Sequence, residues 1–358
     1  MQTGIIGLPL VGKTTLFRIL TRAKLDAKSA HGVTHVGVAR VPEPRLERLA
    51  ELYKPKKITH ASVEYVDVGG MQKDRVRDSA VLAPLREVEA LAHVLRAFDD
   101  PAVPHTAGSI DPLRDAISLD LELMLSDLEQ ITRRLDRLEK DIKKKKDPVL
   151  EHEFALLTRC RLAIESEHPL RELEVTPDEQ KMLSSFMFLS QRPMLYVVNV
   201  GDAEVADLDS VAEKHGLTQL RGRKKAATLA VCGKIEAELA ELEGDEAAEL
   251  LAAYGLKESG LDRLIHATYE LLGLTSFFTA AEPEVRAWTI RRGTTAHKAA
   301  GVIHSDFERG FIRAEVVRCD ELLAAGSVAA AREKGHVRLE GKEYIVQEGD
   351  VILFRHSG

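Results

Sequence analysis

The chain has 358 residues and sets 50 lysines and arginines against 57 aspartates and glutamates, a net charge of -7. That balance argues against sequence-specific or general DNA binding, which calls for a basic surface. A 44% hydrophobic share with 30% charged residues excludes a disordered chain and leaves room for two or three domains. No apolar run approaches the roughly 18 residues of a membrane span, and the opening MQTGIIGLPLVGKTT puts a glycine-rich loop where a signal peptide needs an apolar stretch. A cytoplasmic protein with no membrane contact is expected. Cys160, Cys232 and Cys319 are far apart, with no CxxC, and read as ordinary reduced thiols.

The predicted elements begin with a short apolar strand, Gly4 to Ile6, followed by the loop Gly7 to Thr14 and a helix from Thr15 with apolar residues at helical spacing. Further short strands are predicted at Val36 to Val41, Ser62 to Val66 ending at Asp67, Leu195 to Val198 ending at Asn199, and Thr228 to Val231. Val-rich runs separated by helical stretches predict a buried parallel sheet of an α/β domain. Between the third and fourth runs, Leu121, Met124, Leu128, Ile131, Leu135, Leu138 and Ile142 recur at spacings of three and four. That stripe predicts a helix roughly 35 to 40 Å long. It ends in Lys143 to Lys146, Asp147 and Pro148, and a second helical run carries Leu150, Phe154, Leu157 and Ile164. Two helices joined by a short charged turn predict an antiparallel coiled-coil hairpin, inserted between strands of the sheet domain or forming a separate linear domain. From about Phe277 short alternating stretches, Arg286 to Ile290, Phe311 to Val316, Glu343 to Val346 and Val351 to Phe354, with a helical stretch near Leu322 to Lys334, predict a small α+β domain. The expected divisions are 1–116 and 171–276 for the nucleotide-binding domain, 117–170 for the hairpin and 277–358 for the last domain.

Gly7-x4-Gly12-Lys13-Thr14 matches the full phosphate-loop pattern between a strand and a helix. Backbone N–H groups from Leu8, Leu10, Val11, Gly12, Lys13, Thr14 and Thr15 can surround phosphate oxygens, Lys13 adds positive charge, and the Thr14 hydroxyl can ligate magnesium. Asp67-Val68-Gly69-Gly70 follows a strand as DxxG, in which the aspartate holds magnesium through water and the N–H of Gly70 senses the γ-phosphate. Met71 stands where switch GTPases keep the glutamine that orients the attacking water, and a thioether cannot position water, so hydrolysis must recruit another group or be slow. Gln72 is one residue out of register. At a later strand end, Asn199-Val200-Gly201-Asp202 occupies the place of the base-reading NKxD, with Val200 replacing the lysine, which makes adenine a candidate beside guanine. Ala230 to Lys234, with Cys232 and Gly233 at its centre, is the candidate last loop over the base.

These motifs resemble those of the YchF, or Obg-like ATPase, family of P-loop proteins. The resemblance spans nearly the whole chain: GLPLVGKTTLF, VGVARVPEPRLERLAEL, the DVGG and NVGD boxes, KIEAELAELEG, SGLDRLIHATYELLGL, EVRAWTIRRGTTAHKAAGVIHSDFERGFIRAEVV and LEGKEYIVQEGDVILFR. It implies a Ras-like nucleotide domain interrupted by a coiled-coil hairpin and followed by a β-grasp TGS domain. It also implies slow ATP hydrolysis, with ATP favoured over GTP, magnesium as cofactor, and association with the ribosome and its RNA. The hydrophobic Met71 is a trait of the family, and His105 falls where a loop histidine has been proposed to activate water.

Three departures stand out. Family members carry an asparagine at the position of Leu10, where related proteins bind potassium, and leucine cannot ligate a cation, which argues against potassium dependence. The first switch is shortened, and Thr34 is the nearest hydroxyl for magnesium, out of register. Asp202 replaces the family's usual glutamate, which would restore some guanine recognition. Lys143 to Lys146 and the cluster Arg221 to Lys225 are either solvated turns or phosphate contacts to RNA. The heptad stripe reads as hairpin core, which leaves a monomer. Against a slow ribosome-associated triphosphatase stand two alternatives: a nucleotide-gated ribosome-binding protein with little turnover, and a P-loop kinase, which DxxG and the lack of an evident lid disfavour.

Overall fold

The computed structural model describes residues 1–23, 34–68, 79–220, 222–242 and 244–357. Its strands are β1 (Gln2–Ile6), β2 (Thr34–Arg40), β3 (Lys57–Thr59), β4 (Ser62–Val68), β5 (Ala90–Arg96), β6 (Met194–Asn199), β7 (Ala226–Val231), β8 (Leu274–Ala281), β9 (Glu284–Arg291), β10 (Phe311–Arg318), β11 (Arg338–Glu340) and β12 (Asp350–His356). The chain falls into two compact units, 1–38 with 64–271 and 39–63 with 272–358.

The first unit is built on a sheet of order β2-β4-β1-β5-β6-β7. The neighbours β4/β1, β1/β5, β5/β6 and β6/β7 all pair in parallel. Strand β1 therefore has β4 on one side and β5 on the other, and the crevice at this reversal of strand order is where open α/β sheets bind ligands. Each of the five strands predicted in this region is present. Strand β5, every residue of which is buried, is not among the predicted elements. Its run Ala90-Leu-Ala-His-Val-Leu-Arg lacks the alternation and turn flanks that mark a strand, as expected of a central strand covered on both faces.

The first five helices are α1 (Lys13–Thr21), α2 (Pro44–Tyr53), α3 (Ser79–Glu87), α4 (Pro112–Lys144) and α5 (Pro148–Glu165); Leu82 and Leu85 of α3 pack in the core of the first sheet, α2 belongs to the second unit, and α4, which carries the whole apolar stripe, forms the hairpin with α5. Both hairpin helices start with proline behind an aspartate cap. The Asp111 carboxylate accepts from the N–H of Arg114 at 3.0 Å and that of Asp147 from Val149 at 2.9 Å. Helix α4 begins five residues before the expected boundary and is 33 residues, about 50 Å, long. Met124, Ile131, Leu135 and Leu138 pack with Leu156, Leu157, Cys160 and Ile164, whereas Leu121, Leu128 and Ile142 are only partly buried because a two-helix hairpin leaves one flank open. A fully buried leucine in such a seam contributes about 1.5–3 kcal/mol. All three cysteines are buried free thiols, and burial pushes the Cys160 thiol up to about 12.

A buried polar cluster ties the root of the hairpin to the sheet. Arg171, fully buried, donates through Nη2 to Asp120 Oδ2 at 2.5 Å and to the Tyr196 hydroxyl at 3.0 Å, and that hydroxyl donates to Asp120 at 2.6 Å. Asp120 lies on α4 and Tyr196 on β6. Deeper along α4, Asp127 accepts from the N–H groups of Leu189 at 3.0 Å and Ser190 at 2.7 Å. Desolvation drives His93 of β5 down to about 4, which keeps this imidazole neutral.

The second unit has a sheet of order β11-β10-β12-β8-β9-β3. Pairing is antiparallel for β11/β10, β10/β12 and β8/β9 and parallel for β12/β8 and β9/β3. The helix Ala296–Ile303 packs on it over Phe277, Ile290, Phe311, Ile352 and Phe354. The segment Ala39–Val63, which chain order places in the nucleotide domain, belongs to this unit because β3 adds to β9. Glu343 to Val346 forms no strand; its only pairing among the described residues is a single bridge from Ile345 to Thr295.

Candidate nucleotide-binding site

Parallel pairing brings the carboxyl ends of β1, β4, β6 and β7 to one edge of the first sheet, and the sequence motifs sit at those four ends. The phosphate loop leaves β1 through Gly7 at φ 143° and enters α1 through Gly12 at φ 99°. A Cβ on Gly7 would come within 2.5 Å of the Val94 carbonyl, and one on Gly12 within 2.5 Å of Asn199 Nδ2, so only glycine fits either place. Leu10 lies between them at φ 64°, left-handed, with its side chain 53% exposed. It is a non-glycine residue in strained backbone, a feature that clusters at ligand-binding loops.

Lys13 is 5% exposed, and its Nζ donates to the Leu8 carbonyl at 2.6 Å. Burial pushes the ammonium down to about 8, with the neighbouring charge of Asp67 pulling the other way. The Thr14 hydroxyl donates to Asp67 Oδ2 at 3.0 Å. Asp67 is 1% exposed; burial raises its carboxyl, against the Thr14 hydrogen bond and the Lys13 charge. Its other oxygen, Oδ1, is buried without a hydrogen-bond partner. A hydroxyl beside a carboxylate with one unanswered buried oxygen fits a small hard cation, and Thr14 and Asp67 are the residues that would hold magnesium, which supplies charge neutralisation at the phosphates. Thr34 opens β2 and is exposed. Gly70, with Met71 and Gln72, lies outside the described residues, as does Arg221. Thr15 is exposed on the first turn of α1, and Leu8 is partly buried.

At the base-reading end, Asn199 Nδ2 donates to the Val11 carbonyl at 3.0 Å, while its Oδ1 accepts from the N–H of Gly233 at 2.9 Å. One amide thus fastens the phosphate loop and the last loop to the end of β6. Val200 is 2% exposed and packs into the sheet core, so its side chain cannot cover a base. Asp202 is half-exposed and forms an ion pair with Lys234, whose hydrogen bond holds the carboxyl below its usual range. The Cys232 thiol lies 3.7 Å from the other carboxylate oxygen. Lys234 is not singled out by the sequence reading, although it directly follows Cys232 and Gly233; spacing along the chain does not show that two loops 32 residues apart meet.

His105 is engaged within its own loop and against α4. Its side chain is 8% exposed, Nδ1 accepts from the N–H of Ala107 at 3.1 Å, and Nε2 approaches Asp115 Oδ2 to 3.3 Å without hydrogen-bond geometry. The preceding turn is pinned by Arg96 at the end of β5, whose guanidinium donates to the carbonyls of Phe98, Val103 and Pro104 at 3.1, 2.8 and 3.2 Å.

Comparison with known proteins agrees with this geometry. A family model described as 50S ribosome-binding GTPase matches residues 2–152, and the YchF-GTPase_C model, described as a protein of unknown function (DUF933), matches residues 274–357. The chain is 44% identical over 364 residues to the protein named Ribosome-binding ATPase YchF of Bacillus subtilis, covering 100% of this chain and 99% of that one. It is 37% identical to the protein of the same name from Escherichia coli O157:H7, covering 99% and 98%. A solved structure, titled as that of the Schizosaccharomyces pombe YchF GTPase, superposes with a TM-score of 0.85 at 28% identity, covering 99% of this chain and 97% of that one. With relatives of this identity matched end to end, and with the phosphate loop, Asp67 and Asn199 assembled on one sheet edge, the chain belongs to the YchF family of P-loop nucleotide-binding proteins.

Proposed function

We propose that this chain is a slow magnesium-dependent purine-nucleotide triphosphatase, favouring ATP, that acts as a nucleotide-dependent switch on the ribosome in the cytoplasm. The observation that carries the reading is the phosphate end of the site. A nearly buried Lys13, the Thr14 hydroxyl and a carboxylate with an unanswered oxygen converge at the mouth of a loop built to accept phosphate. The names of the relatives, ribosome-binding ATPase and 50S ribosome-binding GTPase, support both halves of the proposal. The four exposed lysines 143 to 146 run from the end of α4 into the turn at the tip of the hairpin, where local positive charge suits contacts with RNA phosphates despite the acidic total. Purified protein should hydrolyse ATP and co-sediment with ribosomes in a nucleotide-dependent way, and Lys13→Ala should abolish hydrolysis. Hydrolysis unaffected by that change would overturn the proposal.

A second reading, a nucleotide-gated ribosome-binding protein with little turnover, is favoured by one observation. His105, the candidate water-activating residue, is nearly buried and engaged with Ala107 and Asp115. Single-turnover hydrolysis lost on His105→Ala would decide for the triphosphatase; equal rates with and without the imidazole would remove His105 from the chemistry.

A further inference from the structure

We propose that Lys234 is a specificity-determining residue of the base site and that, paired with Asp202, it turns this site toward adenine and away from guanine. The inference rests on the nucleotide-binding function proposed above. The position that carries lysine in guanine-reading P-loop proteins is Val200 here, and its side chain is committed to the sheet core. The cation at the base end comes instead from the last loop: the Lys234 ammonium sits on Asp202 Oδ2, and the Cys232 thiol lies against Oδ1. The pair is held from both sides. Asn199 accepts from the N–H of Gly233, immediately before Lys234, which fixes the loop to the same strand end that delivers Asp202. Glu236, one turn further along the helix Gly233–Ala240, accepts from the N–H groups of Gly260 at 2.7 Å and Leu261 at 3.3 Å and so anchors that helix.

The chemistry follows from counting donors and acceptors. Guanine recognition by a lone carboxylate uses both oxygens, one for N1–H and one for the N2 amino group. At Asp202 the ammonium engages Oδ2 and only the weak Cys232 donor meets Oδ1, so guanine can take Oδ1 from the thiol but must displace Lys234 from Oδ2 or leave its amino group without a protein acceptor. The Watson–Crick edge of adenine offers one donor, the N6 amino group, and one acceptor, N1. A carboxylate oxygen beside an ammonium supplies the complementary acceptor and donor. The pair lowers the Asp202 carboxyl and raises the Lys234 ammonium, so both stay charged at neutral pH.

The test measures dissociation constants of the full chain for non-hydrolysable analogues of ATP, GTP and ITP, with and without Lys234→Ala and Lys234→Arg. Lys234→Ala should shift the ATP-to-GTP affinity ratio toward GTP by about fivefold or more, the scale of one charge-assisted contact. ITP, which lacks the amino group, should gain less than GTP, and Lys234→Arg should keep the wild-type ratio. A ratio within about twofold of wild type in Lys234→Ala would overturn the inference. Failure of the parent proposal reads out separately, as wild-type protein that binds none of the three.

Discussion

Asn199 binds the carbonyl of Val11 through its amide nitrogen at 3.0 Å while holding the N–H of Gly233 through its amide oxygen, so one side chain sets the distance between the phosphate and base ends of the site. Asn199→Ala leaves a buried N–H and a buried carbonyl without partners, a loss of about 1–3 kcal/mol each when unrelieved. Affinity for ATP and GTP analogues should fall together, by about tenfold or more, with the ratio between them unchanged. Titration calorimetry on the variant checks this, and a selective loss of one base would show that Asn199 reads the base rather than the loop.

Nucleotide affinity should depend on pH through Lys13. Burial lowers its ammonium to about 8 in the free protein, and bound phosphate, being anionic, must raise it. Binding therefore takes up a proton once the pH exceeds about 8, and affinity is full below that value and falls as pH rises toward the bound-state pKa, by at most about tenfold per pH unit. Dissociation constants measured from pH 7 to pH 9.5 should show this decline. The same series on Lys13→Ala, weaker throughout, should be flat over that range.

Asp67→Asn should separate function from stability. The substitution keeps the shape and the bond to Thr14 but removes the charge for which Oδ1 is left unanswered, so the magnesium concentration for half-maximal hydrolysis should rise by about tenfold or more. Because burial raises this carboxyl, ionised Asp67 opposes folding at neutral pH, and the thermal midpoint of the variant should hold or increase. A magnesium titration of activity beside a melting curve reads both effects.

The buried cluster at the root of the hairpin makes a prediction about stability alone. Asp120→Ala strands the Arg171 guanidinium in a site where it is fully buried and should cost about 3–5 kcal/mol. Replacing both partners, Asp120→Leu with Arg171→Met, should recover part of that loss, since the desolvation of two charges disappears with their attraction, and leave the cost of the stranded Tyr196 hydroxyl, about 1–3 kcal/mol. Denaturant unfolding of the single and double variants gives the comparison.

The phosphate loop, Asp67 and Asn199 were legible in the sequence because each follows a short apolar strand and carries chemistry local to a few residues. The hairpin was legible because a 3.5-residue period survives over seven apolar positions, although its start at Pro112 is set by the Asp111 cap rather than by the stripe. Strand β5 was not legible: a central strand covered on both faces has no alternation to display. Ala39–Val63 joins the second unit through the pairing of β3 with β9, a contact between segments more than 220 residues apart that no local pattern encodes.

The sequence by itself determined the class of chemistry, since the spacing of Gly7, Gly12, Lys13 and Thr14 admits few uses other than holding phosphate, and glycine alone tolerates the backbone at both ends of that loop. Only the tertiary structure decided which groups face one another. It buried Val200 in the core, set Lys234 on Asp202 and closed His105 against Asp115, because parallel pairing gathers strand ends remote in sequence onto one edge of a sheet. Residue types and local spacing set what each side chain can do, and packing set which of those capacities remain free for a ligand.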